Sequence, residues 1–207
     1  MLLRELLTKQ ITPIRTARKS VDDVSDPTDF KWLEGGGYDL PKKWEKLGYG
    51  AQTSAFLHTN SGTAVKVLYV EGPQDPAYQF LRLCLQHQNN IHFPKIYTYK
   101  QYKTKDPDVS KIIITMERLY KITSSNVNIV SHLLNTAIRT PTSLKLDMKD
   151  ASFRKQLIEN AKTPELKQAL RLLEPLFHHY IEDMHMGNVM LRQNGSDYEV
   201  VFNDPVS

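Results

Sequence analysis

The chain has 207 residues, 40% hydrophobic and 24% charged, which is enough apolar content for one domain of ordinary size with a real core and too much for wholesale disorder. No apolar run is long enough to span a membrane, and Arg4 and Glu5 interrupt the opening leucines where a signal peptide would need its charged start, so the reading is a cytosolic protein without membrane partners. The net charge of +4 favours anionic partners, but Lys and Arg are spread along the chain, which argues against a nucleic-acid surface, and the single Cys84 excludes an internal disulfide.

Residues 1–40 read as an arm or linker. They contain an amphipathic opening (Leu2, Leu3, Leu6, Leu7), a basic patch (Arg15, Arg18, Lys19), an acidic one (Asp22, Asp23, Asp26) and Gly35-Gly36-Gly37. From Trp44 the pattern becomes strand-like, and Ser54–His58 and Thr63–Val70, separated by Asn60-Ser61-Gly62, predict a hairpin. Pro73 and Pro76 then open a helix with Tyr78, Leu81, Cys84 and Leu85 at three- and four-residue spacing, a setting that makes Cys84 a buried, inert thiol. Phe93–Tyr102 and Lys111–Leu119 predict two more strands, the second rich in β-branched residues.

The second half turns helical. Asp150 caps a helix carrying Phe153, Leu157, Ile158 and Ala161, and Thr163-Pro164 starts another with Leu166, Leu170, Leu173, Phe177 and Tyr180 on one face and Pro175 expected to kink it. Two short strands, Asn188–Leu191 and Glu199–Phe202, close the chain around Gln193-Asn194-Gly195-Ser196. The fold class is α+β. An arm (1–40), a sheet-rich lobe (41–119) and a helical lobe (120–207) follow one another.

Phosphoryl transfer needs groups that cradle phosphates, a cation to hold them, oxygen ligands for Mg²⁺ and a carboxylate near the nucleophile. The sequence offers each in order. Gly48-Tyr49-Gly50-Ala51 stands between two strands, where missing side chains let backbone N–H groups approach phosphate oxygens. Lys66 interrupts the apolar strand Ala64-Val65-Lys66-Val67, placed to reach a nucleotide's phosphates. Asp183-Met184-His185-Met186-Gly187-Asn188 and, after a hairpin, Asp204 complete the set. Asp183 accepts a proton from the substrate hydroxyl, while Asn188 and Asp204 supply hard oxygens for the metal. Glu117 is assigned with Gly48, Tyr49, Gly50, Ala51 and Lys66 to nucleotide binding. His178 and His179 point to different helix faces, so they and His185 are not read as a metal site.

In these residues the chain resembles the protein-kinase-like superfamily over roughly 44–207. More narrowly, the Asp183 segment with Asp204-Pro205-Val206-Ser207 is similar to the early serine/threonine kinases by which tailed bacteriophages modify host proteins. The resemblance implies a reduced two-lobed kinase fold with a truncated helical lobe, ATP and Mg²⁺ as cofactors, host bacterial proteins as substrates, and action in the host cytoplasm. It also places His185 in the catalytic loop where protein kinases carry a lysine, a spelling shared with aminoglycoside- and choline-type small-molecule kinases. Four departures stand out: Ile181-Glu182 in place of His-Arg before the base, Thr53 in place of a third loop glycine, Pro205-Val206 after the metal-binding Asp, and no Glu between Gly72 and His92 to partner Lys66. Glu71 and Asp75 are the nearest acidic candidates. Without that Arg, and with only three residues after Asp204, no activating phosphorylation is expected.

Overall fold

The computed structural model describes residues 42–49, 53–134, 150–179, 188–195 and 197–204. Strands β1 (Trp44–Tyr49), β2 (Thr53–His58), β3 (Ala64–Val70), β4 (Ile96–Lys103) and β5 (Ser110–Met116) form one antiparallel sheet in the order β1-β2-β3-β5-β4, with helix α1 (Pro76–Gln86) between β3 and β4 in sequence. Helices α2 (Val127–Leu134), α3 (Ala151–Asn160) and α4 (Pro164–His179) follow, then an antiparallel hairpin of β6 (Val189–Asn194) and β7 (Asp197–Phe202). This is the α+β order expected. Among the described residues no helix is long and apolar enough to cross a membrane.

Local chemistry explains the element ends. Gly62 takes φ +66° in the β2–β3 turn, a conformation that suits a residue without Cβ. Asp75 caps α1: one carboxylate oxygen accepts from the N–H groups of Ala77 (2.9 Å) and Tyr78 (3.3 Å), the other from that of Glu71 (2.9 Å), and Pro76 supplies the first helical residue. Asp150 caps α3, and the Thr163 hydroxyl accepts from Leu166 N–H at the start of α4. Helix α4 continues past Pro175 to His179. Tyr180, expected on its inner face, lies outside the described residues.

Some boundaries differ from those read in the sequence. β4 begins at Ile96, three residues late, because the segment before it is spent on turns and Pro94 has no N–H to give a ladder. β5 stops at Met116. The last hairpin is longer than predicted, since Arg192, Gln193 and Asn194 pair with Glu199, Tyr198 and Asp197. On α1 the buried face is Phe80, Leu81 and Cys84, with Tyr78 and Leu85 only half-buried. Helix α2 was not anticipated; its signal was there in Val127, Val130 and Leu134 at helical spacing, all buried.

Two apolar clusters tie the layers together. One lines α1 and the inner face of the sheet with Leu68, Leu81, Ile112, Ile114 and Met116. The larger one joins Phe80, Cys84 and Phe93 to α2, α3, α4 and to Val189, Leu191, Val200 and Phe202 of the hairpin. The hairpin is thus a wall of the main core.

A polar junction fastens this wall to the sheet. Arg192 of β6 donates from Nε to Glu117 Oε2 (2.6 Å) and from Nη2 to the other Glu117 oxygen and to the Phe93 carbonyl (2.8 Å). Its Nη1 donates to Glu199 (2.8 Å) and to the Ile91 carbonyl. Burial works against the charged guanidinium, and bonds and charge from Glu117, then Glu199, more than offset it. Beside it, Tyr120 and Leu191 exchange both backbone hydrogen bonds, at 2.8 and 2.9 Å.

Glu117→Ala should therefore lower stability by ~3–5 kcal/mol in urea denaturation, because it leaves a buried guanidinium without its main carboxylate. Leu at both 117 and 192 should recover part of that loss, and equal loss in the double variant would show that the charges themselves are immaterial.

His92 gives a second, pH-dependent expectation. Its Nδ1–H donates to the Val200 carbonyl at 2.7 Å, its Nε2 lies 3.5 Å from the Thr163 hydroxyl, and burial lowers its pKa below the ordinary 6.5. A folded-state pKa that is depressed means the folded chain binds fewer protons, so the contribution is complete above about pH 6.5 and is lost as pH falls below it. The denaturation midpoint should fall from neutral to mildly acidic pH, and His92→Asn, which keeps a donor for Val200 and cannot titrate, should flatten that slope.

Candidate functional site

Lys66 sits on the inner face of the sheet because side chains alternate along β3: Val65 and Val67 point one way, Ala64, Lys66 and Leu68 the other. Across the sheet the registers place Gly48, Ala55, Lys66 and Ile114 in one row. Direct partners share a face, so Gly48 and Ala55 look to the same side as Lys66, and two strand spacings put Gly48 roughly 10 Å from it. A Cβ built on Gly48 would meet nothing within 4 Å. Packing does not demand a glycine there. Among the described residues, the space above that end of the row is open.

Opposite this row stands the open end of the β6–β7 hairpin. Val189 pairs with Phe202, and just beyond them the Asn188 carbonyl accepts from the N–H groups of Asn203 (2.7 Å) and Asp204 (3.4 Å). Two residues read as metal ligands from opposite ends of a hairpin are thereby held side by side. Across the gap Lys66 Nζ donates to Asp204 Oδ2 at 2.9 Å, joining positions 138 residues apart. The side chains of the pair are 10% and 23% exposed.

The ground around the pair is apolar. Lys66, Asn203 and Asp204 line, with Leu68, Phe80, Leu81, Cys84, Ile114 and other apolar side chains, a pocket of about 20 Å³, room for a single water. Burial pushes the Cys84 thiol far up, so it stays protonated and unreactive, as its sequence setting predicted. The face that α1 turns to Lys66 carries no carboxylate, and neither acidic candidate substitutes: Asp75 caps the helix and Glu71 is exposed. The acidic partner of Lys66 is Asp204, which sequence spacing could not reveal because the contact is purely tertiary.

Of the residues assigned from sequence, Lys66, Asn188 and Asp204 come together, and Gly48 lies on the same face. Glu117 is different. Its carboxylate accepts from Arg192 and from the Lys95 N–H (2.7 Å), and its own N–H donates to the Lys95 carbonyl at 3.0 Å, so its side chain is a structural tie. Asp183, His185, Gly50, Ala51 and the side chain of Tyr49 lie outside the described residues.

The donors fit Mg²⁺. An Asp carboxylate and an Asn side-chain oxygen are hard ligands of the kind that hold this ion with one or two protein groups, phosphates and waters completing the octahedron. Among the described residues there is no cluster of three or more His, Cys, Asp or Glu that would make an all-protein cage. A cation already lies against Asp204, the Lys66 ammonium, which shows that the carboxylate faces a position a positive charge can occupy.

No protein-family model matches the sequence, and no curated protein matches it. Among solved structures, the kinase domain of PknI from Mycobacterium tuberculosis, crystallised as a double mutant, is similar at 14% identity and a TM-score of 0.33. The match covers 81% of this chain and 62% of that one, so the chain spans less than two thirds of that domain's length. A superposition this loose adds no weight to the site, whose case is its own geometry.

Proposed function

We propose that this chain is an ATP- and Mg²⁺-dependent phosphotransferase with a reduced protein-kinase-like fold. The finer reading is a phage-encoded serine/threonine kinase acting on host proteins in the bacterial cytoplasm. The observation that carries the reading is the 2.9 Å contact of Lys66 with Asp204, which brings a strand cation, in the same cross-strand row as Gly48, and a hairpin carboxylate to one point. The sequence resemblance around Asp183 and Asp204 supports the choice of a hydroxyl substrate on protein.

In this reading Lys66 binds and orients phosphate oxygens, and the Ala64–Leu68 strand holds it in the same cross-strand row as Gly48. Asn188 and Asp204 would hold Mg²⁺, which supplies charge neutralisation at the transferred phosphoryl group. Asp183 accepts the hydroxyl proton of the substrate, with His185 two residues on in the same loop. In the nucleotide-free chain Lys66 and Asp204 neutralise one another, which avoids leaving either charge unpaired in apolar surroundings. One observation favours a rival, a module that binds without transferring: α1 has no carboxylate to hold Lys66 once Asp204 turns to a metal.

Incubating the purified chain with labelled ATP and host lysate separates these readings, since labelled protein bands are expected, labelled small molecules would indicate an aminoglycoside- or choline-type kinase, and no transfer would indicate the silent module. Asp204→Asn removes a ligand charge at constant size and should slow transfer by at least ~10²-fold, about 2.7 kcal/mol of transition-state stabilisation. Lys66→Met should leave nucleotide binding measurable while turnover falls sharply; a variant as fast as the parent would reduce Lys66 to a packing residue.

A further inference from the structure

Every polar group of His92 is engaged. The residue, only 2% exposed, sits where the segment before β4 meets the start of α4 and the end of β7. Its N–H donates to Asn90 Oδ1 at 2.9 Å, and Asn90 Nδ2 in turn donates to the Glu165 carbonyl of α4 at 3.1 Å. Its carbonyl accepts from Phe202 N–H at 2.9 Å, and its Nδ1–H donates to the Val200 carbonyl at 2.7 Å. Backbone groups alternate in direction along an antiparallel strand, and Asn203 N–H is bonded to Asn188 across the hairpin, so Val200 and Phe202 present theirs to the opposite edge of β7. His92 occupies that edge. It stands where a neighbouring strand would, two residues before Asp204.

What faces the ring keeps it neutral. Thr163 Oγ accepts from Leu166 N–H at 3.1 Å, which leaves the hydroxyl hydrogen to point at His92 Nε2, 3.5 Å away. A proton on Nε2 would oppose that hydrogen, at the positive end of α4 and with Arg192 of β6 nearby. The two carboxylates that face the ring do not answer it, since Glu199 of β7 accepts from Arg192 at 2.8 Å and Glu165 of α4 is exposed to water. Burial is the largest influence and holds the imidazole's pKa below the ordinary 6.5. We propose that neutral His92 is a positioning residue for Asp204, an edge clamp on β7 whose protonation releases the end of the hairpin and with it the carboxylate beside Lys66. Under the phosphotransferase reading, on which this consequence rests, the metal site disengages in mild acid. The clamp itself is a property of the fold.

Amide hydrogen exchange of the full chain, without nucleotide or metal, tests the clamp whether or not the chain transfers phosphate. Protection is the intrinsic exchange rate divided by the measured one, so the ordinary pH dependence of exchange cancels. As pH falls below about 6.5, protection at Phe202, Asn203 and Asp204 should fall by up to about tenfold per unit, because the open state takes up the proton, while Val65–Leu68 of β3 keep theirs. His92→Asn retains a donor for Val200 and cannot titrate, so its protection at the three positions should be flat with pH. Should that variant not fold, the ¹⁵N shifts of the His92 ring in the unaltered chain decide: they should report the Nδ1–H tautomer at neutral pH and titrate below 6.5. A flat profile in the unaltered chain, equal loss of protection in β3, the same slope in the variant, the Nε2–H tautomer, or a ring that titrates at or above its ordinary value would each overturn the clamp. Protection that behaves as expected in a chain without phosphotransfer would leave the clamp standing and remove the proposed function.

Discussion

The geometry of the site depends on one buried cation. Arg192 gathers Glu117 from the end of β5, Glu199 from β7 and the carbonyls of Ile91 and Phe93 from the segment before β4. A guanidinium removed from water needs its donors met, and here its planar fork meets groups from three chain segments at once. The consequence is positional. With the middle of the hairpin fixed against the end of β5, its open end, carrying Asn188 and Asp204, is held over β3, where Lys66 projects. A lysine in the same place could not satisfy so many acceptors in fixed directions, so Arg at 192 is a geometric requirement as well as an electrostatic one.

A second constraint follows from burying charge near apolar side chains. Lys66 lies among Leu68, Leu81, Cys84, Ile114 and Met116, surroundings in which a lone ammonium is costly. Asp204 resolves this without any help from α1, whose inward face is wholly apolar. One carboxylate therefore serves both as partner to the lysine and as the donor available to a cation. In the proposed function a phosphate would partner Lys66 and a metal Asp204, one new partner for each member of the pair.

The sheet shows how a strand can answer two demands at once. In β3, Val65 and Val67 serve one face and Lys66 the other, so the register that buries the valines also fixes where the ammonium points. A slip of one residue would exchange the two faces and put the charge on the other side of the sheet. The ladders to β2 and β5, which pair Lys66 with Ala55 and Ile114, are what forbid it.

The sequence by itself determined the local elements and the chemistry available. Alternation and β-branching marked β2, β3 and β5, Pro73 and Pro76, Asp150 and Thr163-Pro164 marked helix starts, and the order glycine loop, strand lysine, Asp183, Asn188, Asp204 offered a candidate set of phosphate and metal groups. These are legible because backbone preferences and residue chemistry act over a few neighbours. Short α2, the true start of β4 and the extra length of the last hairpin were less so, since packing against distant residues decides where a marginal element ends. Only the tertiary structure decided the partners of the charges: that Lys66 meets Asp204, that the Glu117 carboxylate is spent on Arg192, and that Asn188 holds Asp204 through its carbonyl. Contacts across 138 and 75 residues leave no periodic trace in the chain, because they are set by how whole layers stack and by the need to pair every buried charge once they do.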